Sequence, residues 1–207
     1  MNADLDRYIA FAECTLTAHR FQHSYGVMQV MSELAPLYGL DKSMAMAAGI
    51  LHDIAKEFSP EALIRWAKEH RIPLRTEYDK YPLYLHGPVG AGYVAQELDV
   101  ADLILLEAIS QHSYFNDGGA ISPIFCWCLR FSDMLEPLRD WDDLRCQLQP
   151  LVYAGKMGEG AHALMQWVIP FHESASLPVH PNIRRLEREL SILKNEDKLE
   201  NLHALPV

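Results

Sequence analysis

No part of this chain alternates apolar and polar residues for more than a few positions, which leaves little room for a sheet. Apolar residues recur instead every three or four positions. In "HSYGVMQVMSELAPLYG", Val27, Val30, Met31, Leu34 and Leu37 fall at helical spacing, and Gly39 is a stop signal. Asp41 can cap the next run, "KSMAMAAGILHDIAKEF". Ser59-Pro60 and Ser122-Pro123 are N-cap and first-turn pairs ahead of "EALIRWAKEH" and "IFCWCLRFSDMLE". Residues 4–18 form a first amphipathic run, and "HGPVGAGYVAQEL" and "VADLILLEAISQHS" are two more. Three further helical segments cover about 141–149, 157–171 and 181–200. "RIPLRTEYDKYPLYL" and "YFNDGGAI" read as loops. The pattern predicts an all-α, single-domain helical bundle over residues 1–207, with about eight to ten helices.

At 207 residues and 49% hydrophobic, the chain can bury one full core. Its formal net charge of -10 opposes a nucleic-acid or anionic-membrane partner, either of which needs a basic face. A small phosphate-bearing ligand stays open, because a bound metal supplies local positive charge. No apolar run reaches the roughly 18 residues of a membrane span. The opening "MNADLDRYIAF" lacks a basic segment followed by an apolar one, so a cytoplasmic location is expected. Cys14, Cys126, Cys128 and Cys146 do not make a disulfide framework in a chain this long and read as reduced, mostly packing residues. A homodimer is compatible with the sequence, which sets no oligomeric state.

The ten histidines divide by context. His70, His162, His172 and His203 sit in polar or amphipathic segments without a partner at a useful spacing, and read as ordinary surface or core residues. His23, His52, Asp53, His86, His112 and Asp133 lie within or at the ends of predicted helices, among apolar neighbours. A buried carboxylate is costly unless it is paired or bound to a cation. The six come from five segments, and helical bundles build metal sites from side chains that converge in this way. Imidazoles mixed with carboxylates suit Fe, Mn, Zn or Co, and not Mg or Ca alone. The adjacent pair His52-Asp53 carries most weight, since the two oxygens of Asp53 can bridge two ions.

The order His, His-Asp, Asp resembles the HD-domain metal phosphohydrolases, and the longer order His23, His52-Asp53, His86, His112, Asp133 resembles the subgroup that holds two metals. The stretches "RFQHSYGV", "AGILHDIAKE", "LHGPVGA" and "FSDMLEPLRD", with "VHPNIRR" near the end, resemble the YqeK family of bacterial HD hydrolases, which cleave diadenosine tetraphosphate symmetrically. The resemblance runs from about residue 20 to residue 190. It implies an HD-domain bundle whose metal-binding core spans about 19–140, with C-terminal helices at about 141–200. It also implies a first metal on His23, His52, Asp53 and Asp133, and a second on Asp53, His86 and His112. Asp53 would be the bridge and a catalytic residue, and the metal typically iron, with Mn, Co or Zn as alternatives.

Several basic residues stand near these positions. Lys56, four residues after His52, either contacts a phosphate as part of the catalytic set or ends its helix in solvent. Arg20 and Arg139 carry guanidinium forks that fit phosphate oxygens. His180, ahead of Pro181, either touches phosphate or ribose or belongs to a helix N-terminal turn. One segment departs from the family. After the fourth histidine the family runs on with two threonines and a glycine, whereas this chain has Ser113, Tyr114 and Phe115 and a longer interval before Asp133. Tyr114 or Phe115 could stack on a base or pack under the loop.

Other HD enzymes fit less well. The Gly-Tyr-Pro motif of cyclic di-GMP enzymes is missing, and Lys56-Glu57 stands where (p)ppGpp hydrolases carry an acidic pair. The expected activity is hydrolysis of nucleotide phosphoanhydrides, with diadenosine tetraphosphate giving two ADP. The alternatives are a nucleotide phosphatase acting on monoesters and a non-enzymatic metal- and nucleotide-binding regulatory module.

Overall fold

A computed structural model describes residues 3–114 and 122–200, and these are helical with no strand among them. Helices α1 (Ala3–Thr15), α2 (Ala18–Leu37), α3 (Lys42–Leu51) and α4 (Pro60–Glu69) are followed by the short α5 (Thr76–Lys80) and a 3-10 turn at Pro82–Leu85. Then come α6 (His86–Leu98), α7 (Leu103–Gln111), α8 (Pro123–Leu135), α9 (Asp142–Tyr153), α10 (Met157–Ser174) and α11 (Pro181–Asn195). Eleven α-helices among the described residues exceed the eight to ten expected, because α5 and the 3-10 turn occupy a proline-bounded stretch that reads as loop.

The predicted caps form. Asp41, Ser59 and Ser122 accept from the backbone amides of Met44, Ala62 and Phe125, and Pro60 and Pro123 open their helices. Past the end of α2, Gly39 takes a left-handed φ of 67°. Among the described residues, no helix is long and apolar enough to cross a membrane. Cys126 and Cys128 are buried in α8, whereas Cys14 and Cys146 are exposed, so only two of the four thiols pack as expected.

The core runs without a break from Ala12 in α1 to Leu199 beyond α11. Met31 and Leu34 of α2, Ile50 and Leu51 of α3, and Trp127, Leu129 and Phe131 of α8 are all fully buried. Two glycines set the closest helix approaches. A Cβ on Gly49 in α3 would lie 2.6 Å from the Met28 Cα of α2, and one on Gly87 in α6 would lie 2.7 Å from the Ser110 carbonyl oxygen of α7. Only glycine allows backbone to meet backbone so closely. One approach carries His23 and His52 and the other His86 and His112, so each pair of histidines sits where two helices nearly touch.

Candidate metal centre and substrate cleft

His23, His52, Asp53, His86, His112 and Asp133, all buried, converge in the interior. His23 projects from α2 and Asp133 from α8, His86 opens α6, and His52 and His112 directly follow α3 and α7. The apolar flanks of His52 and Asp53 predict continuous helix there. The structure instead ends α3 at Leu51 and folds the next residues into tight turns, Ile54 N–H to Leu51 O and Lys56 N–H to Asp53 O. The His52 ring takes the Gly49 carbonyl (2.8 Å), and such side-chain bonds compete with helix continuation. Lys56 therefore does not share a regular helix face with His52, yet its Nζ lies 3.5 Å from Asp53 Oδ1 and 3.1 Å from His86 Nε2.

Three of the rings use one device. Nδ1 of His52, His86 and His112 bonds to the carbonyl three residues back, on Gly49, Leu83 and Ile109 (2.8, 2.5 and 2.8 Å). Gly49 and Ile109 lie in the last turns of their helices, where carbonyls lack a helical partner. The bond places the proton on Nδ1 and leaves the Nε2 lone pair facing inward. His23 is fixed from outside the helix ends: its Nδ1 is 3.0 Å from Glu136 Oε1, and Glu136 is itself buried and held by the Leu138 amide.

Asp53 stands between the two pairs. Its Oδ1 is 3.3 Å from His86 Nε2 and 3.2 Å from His112 Nε2, and its Oδ2 is 3.7 Å from both His23 Nε2 and His52 Nε2. His23, His52 and Asp53 form one triad of ligand atoms, and Asp53, His86 and His112 another. Asp133 Oδ1 lies 3.3 Å from His23 Nε2 and 4.0 Å from His52 Nε2, at the edge of the first triad.

These residues fit divalent metal. His23 Nε2, His52 Nε2 and Asp53 Oδ1 are buried with no hydrogen-bond partner, a costly state that a cation relieves. The Nε2 atoms of His86 and His112 are 2.9 Å apart although both Nδ1 atoms are engaged by carbonyls. Two lone pairs so close call for positive charge beside them. Electrostatics agree. Burial pushes His52 down to about 3, and burial with the Lys56 charge takes His86 down to about 4, so both rings are neutral at pH 7, the form that can bind a metal. Burial works against ionised Asp53, but the Lys56 ammonium, 3.5 Å from its Oδ1, holds it well below the usual carboxylate range. Burial is likewise outweighed at Asp133, chiefly by the Arg139 guanidinium. His23 runs the other way: burial is outweighed by the Asp133 and Glu136 carboxylates beside it, which raise it to about 9, so a metal there has to displace a proton from its ring.

Cations surround the cluster despite the acidic chain. Arg20 Nη1 is 3.4 Å from Asp53 Oδ2, Arg139 Nη2 is 2.5 Å from Asp133 Oδ1, and Arg130 Nη1 is 3.5 Å from Asp133 Oδ2. A cleft of ≈ 230 Å³ opens here, lined by Lys56, Ser113, Arg130, Asp133 and Arg139 together with Tyr81, Tyr114, Trp141, Trp167 and Phe171. His180 is not a lining residue. It is buried, caps α11 through the Asn182 amide, and stacks on Tyr114 with centroids 4.6 Å apart. Tyr114 also meets Tyr84 edge-on while lining the cleft, and Phe115 lies outside the described residues. Sequence reasoning missed Glu136 and Arg130. Both are three residues from Asp133 in or just after α8, the spacing at which helical side chains meet, and that was the available signal.

Such a buried His and Asp cluster inside an α-helical bundle has the make-up of a metal site. The chain matches the HD domain family model over residues 20–202 and belongs to that family. It is 38% identical over 104 residues to a protein of Halalkalibacterium halodurans named bis(5'-nucleosyl)-tetraphosphatase, symmetrical, covering 47% of this chain and 52% of that one. It is 36% identical over 110 residues to the protein of the same name from Bacillus subtilis, covering 53% and 59%. The chain thus spans about half the length of the curated relatives it matches. In fold it is similar to a predicted HD superfamily hydrolase involved in NAD metabolism from Clostridium acetobutylicum. The TM-score is 0.81 at 23% identity, over 90% of this chain and 96% of that one.

Proposed function

We propose that this protein is a metal-dependent hydrolase of nucleotide phosphoanhydride bonds that cleaves diadenosine tetraphosphate and water into two ADP. The observation that carries this reading is Asp53, whose two oxygens face two separate histidine pairs behind Lys56 and Asp133, which line a cleft shared with Arg130 and Arg139. The names of the two bacillar relatives support the substrate and the symmetrical position. His23, His52, Asp53 and Asp133 hold one divalent transition metal and Asp53, His86 and His112 a second, with iron the first choice and Mn, Co or Zn as substitutes. When bound, such ions neutralise phosphoryl oxygens and acidify the attacking water. Residues 19–140 supply the ligands, and the helices of 141–200 wall the cleft. The free thiols suit a reducing compartment, which we take to be the cytoplasm.

The remaining side chains bind and orient. Lys56, between Asp53 and the cleft, receives a phosphoryl oxygen at the cluster. Arg139 and Arg20 share their guanidinium groups between the buried carboxylates and the phosphates beyond. Arg130 adds a third fork on the Asp133 side. His180 acts through Tyr114, which it supports at the cleft wall. Diphosphate is a good leaving group without a proton, so the reaction needs charge at the departing oxygen more than an acid, and that is what these cations provide.

The test is chromatography of the products formed from diadenosine tetraphosphate by protein loaded with Fe or Mn. ADP as the only early product is expected. ATP and AMP in equal amounts overturn the cleavage position. No turnover, beside brisk phosphate release from mononucleotides, replaces this reading with that of a monoesterase.

A further inference from the structure

The cluster accounts for the cations in the cleft but not for its aromatic side. Trp167 and Phe171 project from α10 one turn apart and stack face to face, with centroids 4.7 Å apart and planes 14° from parallel. Trp141, just before α9, leans on both at 4.9 and 5.5 Å. All three are half-buried, all three line the cleft, and none belongs to the buried core. Large aromatic side chains left partly open to water along a cleft offer flat apolar faces to a flat apolar ligand.

Arg139 joins this group to the metal centre. One face of the Arg139 environment is polar, with Nη2 on Asp133, and its Cζ lies 4.5 Å over the Trp141 ring. A ligand whose phosphate meets Arg139 therefore has an aromatic surface within one side-chain contact. Phosphate at one place and a planar aromatic surface beside it are the chemical outline of a nucleotide.

We propose that Trp141, Trp167 and Phe171 form the platform on which a base of the substrate stacks, which makes them specificity-determining residues of the site. This rests on the hydrolase reading only for the identity of the substrate; the platform itself requires a nucleoside phosphate of any kind. None of the three rings carries a hydrogen-bond acceptor, and stacking is tolerant of base identity. The site accordingly distinguishes a nucleotide from a bare polyphosphate far better than one base from another.

The experiment measures the affinity of Mn-loaded protein for ADP and for inorganic pyrophosphate by calorimetry, and takes their ratio. The unmutated chain is expected to favour ADP at least tenfold. Trp167→Leu keeps an apolar side chain but removes the flat face, and is expected to cut the ratio at least fivefold; Trp167→Phe, which also loses volume but stays flat, is expected to hold it within twofold. Thermal melts check that each variant folds, and Trp141→Leu serves the same purpose should Trp167→Leu be unstable. An unmutated ratio near one, or a ratio in the leucine variants within twofold of the unmutated one, overturns the platform. Turnover of diadenosine tetraphosphate is followed on the same unmutated sample. A base-dependent ratio without turnover sinks the hydrolase reading and leaves the platform standing.

Discussion

Asp53→Ala is expected to lower turnover of diadenosine tetraphosphate on the order of 10³-fold or more, and to strip the protein of metal. The size follows from what one side chain does. Both histidine pairs are within 3.7 Å of its oxygens, so no other residue substitutes as the link between them. Its loss also leaves Lys56 and Arg20 without the carboxylate they face. Supporting residues around a metal typically change affinity about 10–100-fold when removed, and a shared ligand exceeds that. The control is His70→Ala. His70 is exposed, stacks on Trp66 and has no contact with the cluster. Initial rates of ADP release, with metal content measured on the same samples, check the prediction. Similar rates in the two variants contradict it.

Gly49→Ala is expected to destabilise the metal-free protein by about 3 kcal/mol, despite the roughly 1 kcal/mol that alanine gains over glycine inside a helix. The added methyl meets the Met28 Cα at 2.6 Å and its amide nitrogen at 2.8 Å, and backbone cannot rotate away as a side chain can. Helix α3 must separate from α2, which also moves His52 from His23. Gly90→Ala is the contrast. Its methyl meets only side-chain tips of Ile54, Ile109 and Ala55, at 3.3 to 3.7 Å, and a change below about 1 kcal/mol is expected. For a chain of this size the difference corresponds to a Tm gap of roughly 5–10 °C. Equal melting temperatures for the two variants refute the argument.

The glycines show where the sequence stops being legible. Helical spacing, caps and prolines are local, so the all-α fold and the starts of α3, α4 and α8 follow from short windows. The six polar residues stood out because each is a polar group among apolar neighbours, and the structure brings all six together. What stayed hidden depends on contacts between distant segments. Gly49 and Gly87 look like weak helix residues until another backbone lies against them. Glu136 looks like a solvated end to α8 until His23, more than a hundred residues away, meets it. The break after Leu51 is invisible because Ile54 and Ala55 keep the helical pattern while the His52 ring takes the carbonyl that would continue it. The aromatic side of the cleft joins Trp141 to a different helix, and nothing in either stretch announces the other.

The central claim is that one carboxylate joins two metal sites. The most direct test counts metal in anaerobically purified, reconstituted protein by elemental analysis, for the unmutated chain and for two double variants. Two equivalents are expected in the unmutated chain. His86→Ala/His112→Ala and His23→Ala/His52→Ala should each retain one, because each removes a single histidine pair and leaves Asp53 in place. One equivalent or less in the unmutated chain, or full loss of metal from both double variants, contradicts the account.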